Sequence, residues 1–139
     1  MRSERRAWEA IRAFVKSVLA REGENLLAIV LFGSRARGEH TCYSDADLLV
    51  VLAESDRRFI DRLSDFAALC PDGLVEPFVY TRAEVERMLE DQNPFLLDVL
   101  RDGLVLFDRG FWAKLRARFK ALLAEGLVEP LGRGWRIRG

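Results

Sequence analysis

The chain has 139 residues, half of them apolar, and its 22 basic side chains cancel its 22 acidic ones. That apolar content, one tenth aromatic with only four prolines, excludes an intrinsically disordered or collagen-like chain. No apolar run reaches the roughly 18 residues of a membrane span, and the length fits a single domain over residues 1–139.

From the N-terminus, residues 4–22 read as a helix, with Trp8, Ile11, Val15, Val18 and Leu19 on one face and Gly23 as the stop. Its basic start resembles a signal n-region, but Glu9, Arg12 and Lys16 interrupt any apolar segment behind it. Leu26 to Phe32 is an unbroken apolar run of strand length, and Leu48 to Leu52 is a second buried strand. Ser55 is the expected N-cap of a helix over 56–69 with Phe59, Ile60, Leu63 and Phe66 inward.

Past the Pro71-Asp72-Gly73 break, Leu74 to Tyr80 reads as a third strand. Pro77 places it at an edge or bulge, because proline cannot donate to a ladder. Thr81 to Glu84 is a capping box opening a helix with Val85, Met88 and Leu89 inward, and Asn93-Pro94 caps another to about Arg101. A strand over Gly103 to Phe107 follows. Asp108 then opens a long helix with Phe111, Trp112, Leu115, Phe119 and Leu122 on one face, and 127–138 forms a small basic hairpin. The alternation of strands and helices predicts an α/β (α+β) fold, one sheet with helices on its faces. The domain core is expected over about 24–108, with 109–139 as a C-terminal helix and hairpin.

Charge is unevenly spread. Residues 1–22 carry +3, residues 109–139 carry +6, and the stretch between them carries −9. An acidic centre between basic ends suits a cation site beside surfaces that attract an anion or an acidic partner. Two cysteines, Cys42 and Cys70, are too few for a disulfide framework or a zinc site, so a reducing cytoplasmic setting is expected.

The chemistry lies between the first two strands. Asp45 and Asp47 are two residues apart at a strand mouth, so their carboxylates share a side and repel unless a cation sits between them. Hard cations such as Mg²⁺ prefer oxygen ligands of this kind and also bind substrate phosphates. Upstream, Gly33 lets a phosphate approach the backbone, the Ser34 hydroxyl and neighbouring amides can cradle it, and Arg37, with Arg35, adds charge-assisted contacts. Together these residues describe a nucleoside triphosphate site. His40, the only histidine, reads as an exposed loop residue, and Cys42 as incidental. Trp8 and Trp112 read as core, and Trp135 as packing the hairpin or a partner surface.

Gly33-Ser34-x-Ala36-Arg37-Gly38 followed by Ser44-Asp45-x-Asp47-Leu48 resembles the signature of the DNA polymerase β-type nucleotidyltransferase superfamily, in its minimal nucleotidyltransferase (MNT) branch. The motif covers about sixteen residues, with a looser likeness around Asn93-Pro94-Phe95 and Asp102 to Phe107. The resemblance implies a mixed sheet of about four strands flanked by helices, and two Mg²⁺ ions held by three carboxylates with ATP as substrate. Asp45 and Asp47 match the first two carboxylates. Glu76 is the best match to the third, with Asp72 the alternative. Pro77 directly after Glu76 departs from the family's usual pattern. Gly33, Ser34, Arg37 and Ser44 fall at the nucleotide-binding positions, and Glu76 doubles as the proton acceptor.

The function so implied is Mg²⁺-dependent transfer of AMP from ATP to a hydroxyl, typically a tyrosine of a HEPN-domain toxin that this chain, as antitoxin, would neutralise. A chain of this length leaves the acceptor side to a partner or to a second copy, and nucleic acid is not expected as a direct substrate. The alternatives are an antitoxin that neutralises by contact alone and a small-molecule nucleotidyltransferase of the aminoglycoside-modifying kind.

Overall fold

The first helix, α1 (Arg2–Glu22), buries Ile11, Phe14 and Val18 on the stripe that the apolar spacing marks out, and ends where Gly23 takes φ +56°. The structure, a computed structural model, describes residues 2–39 and 45–138. Strand β1 (Leu26–Phe32) follows, buried along nearly its whole length, as its unbroken apolar run requires of a strand covered on both faces. It pairs antiparallel with β2 (Ala46–Leu52) on one side and with β4 (Leu104–Asp108) on the other. Strand β3 (Val75–Thr81) runs parallel to β2, giving a mixed sheet in the order β3-β2-β1-β4. A parallel neighbour needs a long crossover, supplied here by α2 (Phe59–Ala67). β3 is an edge strand, which is where Pro77 is tolerated.

Helices cover both faces. α1 and α2 pack with Leu26, Ile29, Leu31, Leu48 and Val50. On the opposite face α3 (Arg82–Glu90), α4 (Pro94–Asp102) and α5 (Phe111–Ala124) pack with Val30, Leu49 and Val51. Trp112, Leu115, Phe119 and Val128 belong to this second layer, so the apolar core extends beyond 24–108 into the C-terminal segment. No helix among the described residues is long and apolar enough to cross a membrane.

The expected caps form where the motif is complete. Thr81 Oγ1 accepts from the Glu84 amide while Glu84 Oε1 accepts from the Thr81 amide, and Asn93 Oδ1 accepts from the Leu96 amide. Asp108 sits two residues before the cap position of α5, yet its carboxylate accepts from the amides of Gly110, Trp112 and Ala113. The hairpin is β5 (Val128–Leu131) paired with β6 (Gly134–Ile137), and Trp135 packs it inward. Its ring meets Phe119 edge-on at 5.8 Å, and its Nε1 donates to Asp98 Oδ1 at 2.8 Å.

The region before α2 differs from expectation. Ser55 Oγ accepts from the Arg57 amide in a local turn, so α2 starts three residues later than the cap reading gave, with Arg58 at its uncapped N-terminus. Ile60, expected inward, is 60% exposed, and the buried position goes to Arg62. Its guanidinium donates to Val79 O at 2.9 Å and to both Glu84 oxygens at 2.7 and 2.8 Å, satisfying a charge that burial would otherwise make costly.

Candidate active site

The acidic motif takes its geometry from strand register. Asp47 lies in β2 between Phe32 of β1 and Glu76 of β3, and Asp45 stands just before β2, exposed. Side chains two residues apart share a sheet face, so Asp47 and Glu76 stand on the face that carries Leu49 and Phe78. Phe32, Phe78 and Phe95 form an aromatic floor there, with Phe32 edge-on to Phe78 at 5.4 Å and to Phe95 at 5.2 Å. Sequence reading missed this floor. Its one signal was Phe95 in a segment of looser family likeness.

The floor has an electrostatic consequence. Burial, then the Glu76 and Asp45 charges and a hydrogen bond to Glu76, push the Asp47 carboxyl up to about 6. Low polarity and like charge both disfavour its ionised form. A divalent cation would relieve that repulsion, and three carboxylates form the hard-oxygen donor set that Mg²⁺ prefers. Among the described residues no group of three acidic, imidazole or thiol side chains is placed so that it could hold a metal ion as it stands. Asp45 and Glu76 are both exposed, and Glu76 hydrogen-bonds to Asp47. Asp72, the alternative third carboxylate, is spent on the turn before β3, where it accepts from the Leu74 amide and the Cys70 thiol.

The phosphate-binding candidates meet the acids at Gly33. This residue ends β1 with φ +78°, and a Cβ built on it would lie 2.7 Å from Asp47 Oδ2, so only glycine fits between the turn and the carboxylate. The turn winds on through Ser34, with the Arg37 amide donating to Gly33 O and the Glu39 amide to Ser34 O. Ser34 is half-buried beside Asp47's neighbour Gly33, and Arg37 is exposed three residues on, donating from Nε to Glu39 at 3.3 Å.

Arg35 departs from expectation. It is buried, and its Nη1 donates to Glu4 Oε2 at 2.9 Å, so it ties the loop to α1 instead of facing a phosphate. Ser44, His40 and Cys42 lie outside the described residues. Glu39 also accepts from Arg133 of the hairpin at 3.4 Å, and a polar concavity of about 410 Å³ opens among Arg37, Asp98, Arg101 and Arg133.

Comparison with known proteins bears on the family and the fold. A family profile described as "Nucleotidyltransferase domain" matches residues 11–123. A provisionally named protein adenylyltransferase of Methanocaldococcus jannaschii is 28% identical over 125 residues, spanning 85% of this chain and 82% of that protein. A provisionally named nucleotidyltransferase of Sulfolobus solfataricus superposes with a TM-score of 0.57 at 26% identity, over 78% of this chain and 86% of that one. A toxin-antitoxin structure with AMP-PNP shares the fold at a TM-score of 0.50 and 22% identity, over 81% and 89%.

Proposed function

The chain belongs to the nucleotidyltransferase domain family, and from that premise we propose that it acts as one domain over 1–139 to move AMP from ATP onto a hydroxyl of a partner protein. The observation that carries this reading is the β2–β3 register, which sets Glu76 against Asp47 at the edge of the Gly33 turn.

In this reading Asp45, Asp47 and Glu76 hold two Mg²⁺ ions. Bound there, Mg²⁺ supplies positive charge that offsets the triphosphate and the departing pyrophosphate. Gly33 leaves the backbone open to the terminal phosphates, Ser34 donates its hydroxyl to them, and Arg37, released from Glu39, and Ser44 add contacts. The acceptor oxygen forms its bond to the α-phosphorus as the bond to pyrophosphate breaks, and its proton passes to Glu76. The aromatic floor of Phe32, Phe78 and Phe95 keeps the acids on a rigid, apolar base.

A protein acceptor is supported by the naming of the Methanocaldococcus relative for protein adenylyl transfer. The specific acceptor proposed, a tyrosine of a HEPN-domain toxin, follows from the motif resemblance. Incubation with labelled ATP, Mg²⁺ and a HEPN-domain protein encoded beside this chain tests it. Label on that protein supports the reading. Neutralisation without label points to binding alone, and label confined to an aminoglycoside points to small-molecule transfer.

A further inference from the structure

The end of the sheet away from the acids holds a second charged feature. There a concavity of about 540 Å³ is lined by Arg82, Arg109, Lys114 and Arg118 against one carboxylate, Glu86, over an apolar floor that includes Phe111 and Leu115. It opens where β1 begins and β4 ends, one strand length or about 20 Å from the Gly33 turn.

Arg109 and Arg82 have defined neighbours. Arg109 lines the rim, but its guanidinium is held on the α1 side of the sheet, donating from Nε to Leu26 O at 2.8 Å and from Nη2 to Gly23 O at 3.1 Å and stacking on Phe107. Arg82 stacks on the Phe111 ring, 5.5 Å from its centroid. Lys114 and Arg118 lie four residues apart on α5, a spacing that costs helix stability when both are cationic. Among the described residues Arg82, Lys114 and Arg118 make no ion pair. The nearby acids are committed elsewhere, Asp108 to the first amides of α5 and Glu84 to Arg62 and Thr81.

We propose that this pocket binds a ligand carrying two or more phosphate groups. Arg82, Lys114 and Arg118 beside one carboxylate call for a compact anion of about two charges or more, which a di- or triphosphate delivers within this volume. An acidic peptide would have to converge several side chains on the same point. Arg82 and Arg118 carry planar forks that pair two-pronged with phosphate oxygens, and Arg82 is already oriented by Phe111, so less side-chain freedom is lost on binding. The pocket is separate from the acids, so this inference stands or falls independently of the transfer reading.

The test is calorimetry on the full chain in EDTA, with tripolyphosphate, ATP, a short single-stranded oligonucleotide and polyglutamate, comparing wild type with Lys114→Glu/Arg118→Glu and the milder Lys114→Gln/Arg118→Gln. At least one phosphate ligand is expected to bind, weakened about tenfold or more by charge reversal and less by neutralisation, with circular dichroism unchanged. Binding of tripolyphosphate and ATP identifies a free phosphate ligand, and preference for the oligonucleotide identifies backbone phosphates. The proposal is overturned if no phosphate ligand binds, if polyglutamate binds as tightly, or if both double variants bind like wild type.

Discussion

A methyl group on Gly33 would stand 2.7 Å from the Oδ2 of Asp47, closer than side-chain carbons approach other atoms, and Gly33 holds φ +78°. The Gly33 turn and the acidic strand are thus packed against each other, and the Asp47 carboxylate occupies the space that a side chain at Gly33 would take.

Gly33→Ala tests that contact. The substitution strains the backbone by about 1–2 kcal/mol and pushes the Asp47 carboxylate aside. Displacing a catalytic group by an ångström costs on the order of a hundredfold in rate. Nucleotide transfer should therefore collapse while a thermal melt shows only a modest loss. A variant with wild-type turnover would show that the turn and the carboxylate work separately.

Asp47→Asn should abolish transfer and, without metal, stabilise the fold at neutral pH. The folded carboxyl, at about 6, lies above its unfolded value of about 3.9, so the folded state binds the proton more tightly. That contribution to stability is complete below about pH 4 and disappears as pH rises through 6. Denaturant melts in EDTA should show wild type losing stability from pH 4 to 7 relative to the Asn variant. Parallel pH profiles for the two proteins would contradict the assignment.

Arg62→Met removes a buried guanidinium with a side-chain exposure of 4%. Val79 O and Glu84 lose their donor, a change expected to cost about 3 kcal/mol. The Arg62 hydrogen bonds hold Glu84 below its usual carboxylate range. Its contribution is therefore present above the unfolded value and lost as pH falls through the lower folded one. The variant should show weaker acid destabilisation than wild type, measured by melts between pH 5 and 3.

Trp135→Ala should detach the hairpin. The ring's contacts with Phe119 and its bond to Asp98 disappear, at a cost of about 2 kcal/mol for a half-buried tryptophan. Hydrogen exchange should quicken in 128–137 and stay slow in β1 and β2. Uniform quickening would mean that the hairpin is integral to the core.

Several elements were legible because their signals are local. β1 runs over the same Leu26–Phe32 that its apolar run marks, and the Thr81 box and the Asn93 cap close hydrogen bonds within three residues of chain. Asp45, Asp47, Gly33 and Ser34 could be singled out together because β1, its turn and β2 are consecutive.

The aromatic floor, the Arg35–Glu4 pair and the burial of Arg62 were not legible in this way. Each joins residues far apart in the chain through a choice of strand order or helix packing. By itself the sequence determined most of the elements and the Thr81 and Asn93 caps, since those follow from side-chain periodicity and short-range hydrogen bonding, while the residue types and the motif resemblance pointed to the chemistry. Only the tertiary structure decided that Glu76 stands in register beside Asp47, that Arg35 is buried against Glu4, and that Arg82, Lys114 and Arg118 gather at the far end of the sheet. Such encounters depend on pairing and packing across the whole chain, and no local window of residues encodes them.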